Sequence, residues 1–458
     1  MTKNMLSLLR NSMHFINKMH MQNFCMKPSK HYDIIIAGGG MIGSTLACTL
    51  GKNPKLANKN ILLLETTNPT AWTPRDTYSN RVSAVNLNTF NLLNEIGAWK
   101  HIANVRCSPV KSLQAWDAVS DVMISFNHDE ASKVVAHIVE NDLIIHAVNK
   151  EIANLQNIQI INGFKIAKYH LPENVSQDIN VQLENGDNFT CNLLLGCDGV
   201  KSQVREAMGV NYISWDYHQT AVVATLELSE ATENNIAWQR FLPAGPIAIL
   251  PLNENLSSLV WSTTSEIAHS LMGLTDQEFV DKINDAFSRV YEDNAVVRES
   301  TRGFNKILSF LDLPSSNEKQ HPPKIVGVDS LSRAGFPLGF GHATNYIKLR
   351  VALVGDAAHH VHPLAGQGVN LGFGDVSTLN NILGEAVYSG RFLGQLADLQ
   401  EYETSRQRHN FPTMIAIDGL QKLYNTEFAP IVLLRSLGLQ LTHALNPLKK
   451  VLIDHAGQ

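Results

Sequence analysis

Cysteine is scarce: the 458-residue chain carries 5, at Cys25, Cys48, Cys107, Cys191 and Cys197, and no two form a C-x-x-C pair. An odd, sparse set in a long chain argues against a disulfide framework or a zinc cage and for inert reduced thiols. Charge is low as well, at 17% with a formal net charge of -5. That balance suits an ordinary globular protein, and nothing in it points to nucleic acid. No unbroken apolar run reads as a membrane span, because the longest, Ile34 to Leu50, contains Gly38, Gly39, Gly40 and Gly43, which have the chemistry of a turn.

Acidic residues are absent before Asp33, whereas Lys3, Arg10, Lys18, Lys27 and Lys30 are basic. On a helical wheel Met5, Leu6, Leu8, Leu9, Met13, Phe15 and Ile16 fall on one side and Lys3, Ser7, Arg10, His14, Asn17 and Lys18 on the other. A basic amphipathic helix of this kind resembles a mitochondrial presequence, with a disordered leader as the alternative. At the other end Ile431 to Ile453 is leucine-rich and carries Arg435, Lys449 and Lys450. It fits a membrane-surface helix pair or helices packed on the domain, and both readings stay open.

The length, with 44% apolar residues, suits two interleaved domains. Asp33 to Ala37 is a β-branched run ended by glycines, Met41 to Gly51 continues as a small-residue helix, and Lys59 to Glu65 is the next strand. Together they predict a βαβ unit with a parallel pair. Asn88 to Trp99 has helical spacing, Val110 to Phe126 alternates like strands, and Val134 to Lys150 reads as a helix. A second buried strand, Leu193 to Gly199, runs into an acidic turn, and Thr220 to Thr263 predicts an antiparallel sheet. Pro314 to Lys324 reads as a surface loop, and Arg350 to Asp356 as a third buried strand followed by helices. Buried strands that return after an antiparallel insertion imply a nucleotide domain that is discontinuous in sequence.

Three motifs carry chemistry. Gly38-Gly39-Gly40-Met41-Ile42-Gly43 is a G-x-G-x-x-G between a strand and a helix, where backbone N–H groups can approach a pyrophosphate. Glu65 ends the second strand, placed to accept hydrogen bonds from a ribose diol. Gly196 to Arg205 is a strand-to-helix turn with Asp198 and Ser202 as caps. The third runs from Gly355 to Gly372. Its cluster His359, His360 and His362 lacks the partners of a metal site, so no metal is assigned. Gly366 and Gly368 instead let the chain pass close to a planar ligand, with a helix beginning near Val369 aiming its positive end there.

In this order and at these separations, the three motifs resemble the class A flavoprotein monooxygenases over nearly the whole chain after residue 32. Ala237 to Leu252, Leu259-Val260-Trp261-Ser262 and Phe336-Pro337-Leu338 are similar to their ubiquinone-biosynthesis hydroxylase branch. The resemblance implies an α/β fold: a discontinuous Rossmann-like FAD-binding domain (33–109, 131–207 and 340–412) with an inserted antiparallel β-sheet substrate domain (110–130 and 208–339). A presequence (1–32) precedes these and C-terminal helices (413–458) follow. It assigns non-covalent FAD, with Gly38, Gly40 and Gly43 at the pyrophosphate, Glu65 at the adenosine ribose and Asp356 at the ribitol or pyrophosphate. Gly366, Gln367, Gly368, Val369 and Asn370 would flank the isoalloxazine. Arg81 sits where the family places a flavin-side arginine, a surface ion pair being its alternative role. The family's arginine near Glu140-Asn141-Asp142 is missing here, which leaves FAD contacts from that helix in doubt.

The implied activity is hydroxylation of a polyprenylated 4-hydroxybenzoate-type ring, commonly at C5, through a flavin C4a-hydroperoxide. The cofactor carries that chemistry, so no protein nucleophile is required and no acid-base residue is assigned. The implied partners are the prenylated phenolic substrate, O2, and other ubiquinone-biosynthesis proteins in a complex. A single G-x-G-x-x-G leaves the reductant as transient NADPH or a protein donor, and the resemblance favours ferredoxin with ferredoxin reductase. It also implies a peripheral protein on the matrix side of the mitochondrial inner membrane. A soluble aromatic substrate and an FAD-containing scaffold of a lipid-biosynthesis complex are the alternatives.

Overall fold

The computed structural model describes residues 29–68, 72–120, 122–127, 134–231, 233–291, 321–426 and 428–444, together with 299, 303, 306 and 310. The leader helix, most of the 314–324 segment and the far part of 431–453 lie outside the described residues.

Ile34, Ile35 and Ile36 have no exposed surface, as expected of a strand covered by helices on both faces of a parallel sheet. The strand Lys30–Ala37 lies between Ile61–Glu65 and Asn188–Gly196, parallel to both. Val351–Leu353 and Ile158–Asn162 extend this parallel core on either side. The order therefore reverses beside the first strand, and the crevice outside its carboxyl end is where such sheets bind ligands. The first strand begins at Lys30, three residues before the expected start. Tyr32 pairs with Cys191 in it, so the boundary at residue 32 falls inside the strand.

The second sheet has nine strands and takes in residues from four parts of the chain. Tyr212–Leu228, Leu256–Thr264, Gly245–Pro251 and Ile236–Leu242 are successive antiparallel neighbours. Ser112–Asp117 then joins Ile236–Leu242 in parallel, because the two come from separate segments and no hairpin constrains them. On the other edge Ala334–Ala343 pairs with Tyr212–Leu228 and then with His359–His360. The sheet thus runs past residue 339 and ties itself to the third motif.

The expected helix over Val134 to Lys150 is two elements. Ala136–Glu140 is a strand between Val82–Val85 and Ser108–Val110, and the helix is Asn141–Ile152. Helical periodicity continued across a short strand whose partners lie far away in sequence. Three further helices, Gln367–Tyr388, Leu396–Tyr424 and Ala429–Ala444, close one side. Among the described residues no helix is long and apolar enough to cross a membrane.

Candidate active site

The glycine-rich turn is built by close approach. Gly38, at φ +103°, would place a Cβ 2.4 Å from the Cys197 carbonyl oxygen, and a Cβ on Gly43 would sit 1.8 Å from that of Gly38. These two glycines let the first turn, the second turn and the helix Met41–Lys52 touch. Gly40 is different: a Cβ there meets no protein atom within 4 Å, and the helix it precedes has no side-chain cap. Its first N–H groups are not taken up by a serine or aspartate cap, an arrangement that suits an anion. Glu65 Oε2 accepts from Gly39 N at 2.6 Å, while Oε1 accepts from Thr67 N and Oγ1 at 2.8 and 2.7 Å. Burial pushes its carboxyl up, but the hydrogen bonds from Thr67 and Gly39 outweigh this and hold it below its usual range.

The third motif ends differently. Gly366, at φ +64°, precedes the helix Gln367–Tyr388, which also lacks a side-chain cap. Asn370 fixes this end: its Nδ2 donates to Ala84 O at 2.9 Å and Gly366 O at 3.2 Å, and its Oδ1 accepts from Thr89 Oγ1 and Asn86 N. The Asn370 amide is therefore a clamp between motif and strand. His362 Nδ1 accepts from Leu364 N and its Nε2 meets Gln219 Oε1 at 3.2 Å, which holds the Pro363–Gly366 segment from beneath. Burial pushes the His362 imidazole down to about 4.

One cavity of about 1350 Å³ joins these parts. Gly40, Arg81, Asp356, Gly366, Gln367, Gly368, Val369 and Asn370 all line it, whereas Gly38, Gly43 and Glu65 are not part of its lining. Beyond Gly366 the cavity runs over the second sheet, past Ala115, Phe241 and Val260, to Leu434 and Leu439 of the last helix. Pockets for one small ligand span roughly 300–1,000 Å³, so this one has room for two ligands side by side.

The family described as "FAD binding domain" matches residues 31–304 and 315–413. The "Ubiquinone biosynthesis monooxygenase COQ6, mitochondrial" of Danio rerio is 46% identical over 451 residues, covering 97% of this chain and 93% of that protein. That of Drosophila melanogaster is 48% identical over 431 residues, covering 93% and 90%. The chain belongs to the ubiquinone biosynthesis monooxygenases. The p-nitrophenol 4-monooxygenase PnpA from Pseudomonas putida DLL-E4 shares the fold, at TM-score 0.67 and 15% identity over 93% of this chain and 99% of that one. FAD is the cofactor of this FAD-dependent monooxygenase family, and the residues present fit it. Two uncapped helix ends open on one cavity, and Asp356, half exposed, and Arg81 stand on its wall. Among the described residues the Arg81 guanidinium makes no ion pair. The helix after Glu140 presents Asn141 rather than an arginine, its Oδ1 accepting from Ser83 Oγ at 2.7 Å. Glu140 is engaged by Arg106 from outside the helix at 2.6 Å.

Sequence reasoning missed two buried groups that shape this family's site here. Asp375 accepts four hydrogen bonds, from Gly355 N, His359 Nε2, Arg406 Nε and Asn410 Nδ2, and so anchors the turn that carries Asp356. A lone carboxylate inside Val369 to Leu379 was the available signal, since an acid among apolar residues is seldom buried unpaired. Arg435 makes a two-bond pair with Asp117 at 2.9 and 3.1 Å, and donates to the Leu423, Tyr424 and Thr426 carbonyls. It thereby locks the last helix over the cavity. Arg205 also joins two motifs, donating to Ala357 O at 2.8 Å and Val200 O at 2.7 Å.

Proposed function

We propose that this chain hydroxylates the aromatic ring of a polyprenylated 4-hydroxybenzoate-type intermediate of ubiquinone biosynthesis, at C5. The observation that carries this reading is the shared cavity, in which a cofactor end made of helix termini continues into an apolar chamber between the sheet and the last helix. When bound, FAD supplies the activation of O2 and the transfer of one oxygen atom. The chain's own residues do the rest. Gly40 and the Met41 and Gln367 helix ends bind the cofactor's phosphates and the electron-rich edge of its ring. Glu65 accepts from the adenosine ribose, and Asp356 from the ribitol hydroxyls. Phe241, Val260 and Leu439 exclude water from the reacting ring.

The single dinucleotide turn leaves transient NADPH or a protein donor as the electron source, and the family resemblance favours ferredoxin with its reductase. Its place is the matrix face of the mitochondrial inner membrane, as a peripheral member of a biosynthetic complex. The last helix supports that contact: Leu434, at the edge of the cavity, and Leu441 are exposed, and its single charged side chain, Arg435, is buried in the pair with Asp117.

Lipid extracts from cells lacking the protein, complemented with either the unchanged chain or Gly40→Trp, test the reading by mass spectrometry. A prenylated 4-hydroxybenzoate or its decarboxylated phenol should accumulate with Gly40→Trp and clear with the unchanged chain. Normal ubiquinone in the absence of the protein would overturn it. Purified holoenzyme given NADPH alone, or NADPH with ferredoxin and its reductase, decides the reductant.

A further inference from the structure

The polar groups around the cavity divide by whether the protein already uses them. On the cofactor side Asn370, Ser83 and Asn141 are bonded to one another's segments, and Arg435 is held by Asp117. On the sheet, strand alternation turns Ala237, Gln239 and Phe241 toward the cavity. Trp238 and Leu242 point the other way into a separate core, and Arg240 donates to the Ala286 and Arg289 carbonyls.

Gln239 stands out on that floor. Its cross-strand neighbours are Ala248 on one side and Ala115 on the other, both small and both lining the cavity. The next residue in the row is Val260. Gln239 is 8% exposed, and among the described residues its amide has no hydrogen-bond partner. A buried amide without a partner is disfavoured unless something entering the cavity supplies one. Two residues along the strand, the Phe241 ring stacks on Tyr424 with centroids 3.9 Å apart. Burial beside Asp117 holds the Tyr424 hydroxyl well above its ordinary range, so it stays an O–H donor.

We propose that Gln239 is the residue that recognises and orients the substrate ring, exchanging hydrogen bonds with its phenol hydroxyl beside the Tyr424 hydroxyl. This rests on the phenolic reading above. An amide offers a donor and an acceptor in one plane, and a phenol hydroxyl is both acceptor and donor, so the two are matched. The flanking Ala115 and Ala248 leave a shallow flat floor on which a ring can lie. An amide does not remove protons, so its part is orientation.

The test uses full-length FAD-loaded protein and two probes, 4-hydroxybenzoate carrying a short prenyl chain and its O-methyl ether, with binding followed by the flavin absorbance. Gln239→Met keeps length and loses both bonding groups. It should weaken the phenol about tenfold, as expected for one buried hydrogen bond, and leave the ether within about twofold. Gln239→Asn should recover part of the loss, and Tyr424→Phe should weaken the phenol several-fold, so the test survives a poorly folding Met variant. Equal weakening of both probes, or none, would overturn the assignment of Gln239. If neither probe binds the unchanged protein, the phenolic reading falls and takes this proposal with it.

Discussion

Asp375→Asn removes a charge while keeping the shape, and the structure gives its consequence in some detail. Asp375 is fully buried, with Oδ2 at 2.9 Å from Gly355 N and 2.6 Å from His359 Nε2, and Oδ1 at 2.7 Å from Arg406 Nε and 3.1 Å from Asn410 Nδ2. Burial alone pushes such a carboxyl up. The His359 and Arg406 charges and the hydrogen bonds reverse this and hold it well below the usual carboxylate range. An amide at this position turns an NH2 toward two donors and leaves the buried Arg406 guanidinium without its counter-charge. Breaking a buried pair by removing one partner costs about 3–5 kcal/mol. The Gly355 turn, at φ +63°, loses its anchor at the same time, and with it the placement of Asp356. Urea unfolding followed by circular dichroism, with FAD counted per chain, should show both the stability loss and reduced FAD content. Asp356→Asn is the contrast: its side chain is half exposed and, among the described residues, has one ion-pair contact, with His360 at 3.8 Å, so it should lower FAD affinity and change stability by less than about 0.5 kcal/mol. An Asp375→Asn protein within about 1 kcal/mol of the parent and fully loaded with FAD would refute the reasoning.

Acid should destabilise the fold in two stages. Burial pushes His342 and His362 down to about 4. The unfolded chain, with ordinary histidines, therefore binds more protons between about pH 6.5 and 4, and stability falls as pH drops through that window and is unaffected above it. Carboxylates held low, Glu65 and Asp375, add their loss below about pH 4.5. His362→Gln should reduce the slope of unfolding free energy between pH 6 and 5 by about one proton, roughly 1.4 kcal/mol per pH unit, read from urea curves. Gly43→Ala should force the first turn apart, since its Cβ would lie 1.8 Å from the Gly38 oxygen. A loss of about 1–3 kcal/mol and of bound FAD is expected, whereas Gly40→Ala, with no protein atom within 4 Å, should leave melting unchanged. Arg435→Leu strands Asp117, which is 0% exposed, at about 3–5 kcal/mol. Limited proteolysis should then release the last helix.

The parallel core was legible because its signals are local. Ile34 to Ile36 and Leu193 to Leu195 are apolar runs ended by glycine or an acidic turn, and each became the fully buried part of a strand. The cavity wall was legible in part for the same reason: Gly40, Asp356 and Gly366 sit at strand or helix ends marked by their own composition. What stayed hidden depends on contacts across the sequence. The strand Ala136–Glu140 exists only through Val82–Val85 and Ser108–Val110, so its helical spacing prevailed in the reading. Asn370 read as a ligand contact from sequence, and its role as a clamp was not visible there. The pair Asp117 and Arg435 spans more than 300 residues, and nothing near either residue announces the other.

That long-range pair bears on how the site works as well as on how it holds together. Asp117 ends a strand of the sheet floor, and Arg435 lies on the helix that covers it. Arg435 also takes up the carbonyls of Leu423, Tyr424 and Thr426, where the preceding long helix stops. Because the pair is buried, the cover cannot lift by small steps; freeing it leaves two buried charges without their counter-charges. The ring of Tyr424 is thereby kept against Phe241, and the floor between Phe241 and Gln239 keeps its shape when the chamber changes occupant. On the proposed prenylated substrate, the long apolar substituent would lie outward past Leu434 and Leu439, with its ring left at the cofactor end. On that proposal, orientation comes from a locked wall together with Gln239 rather than from many contacts to the ring, so that an almost wholly apolar chamber would present one edge of a ring for reaction.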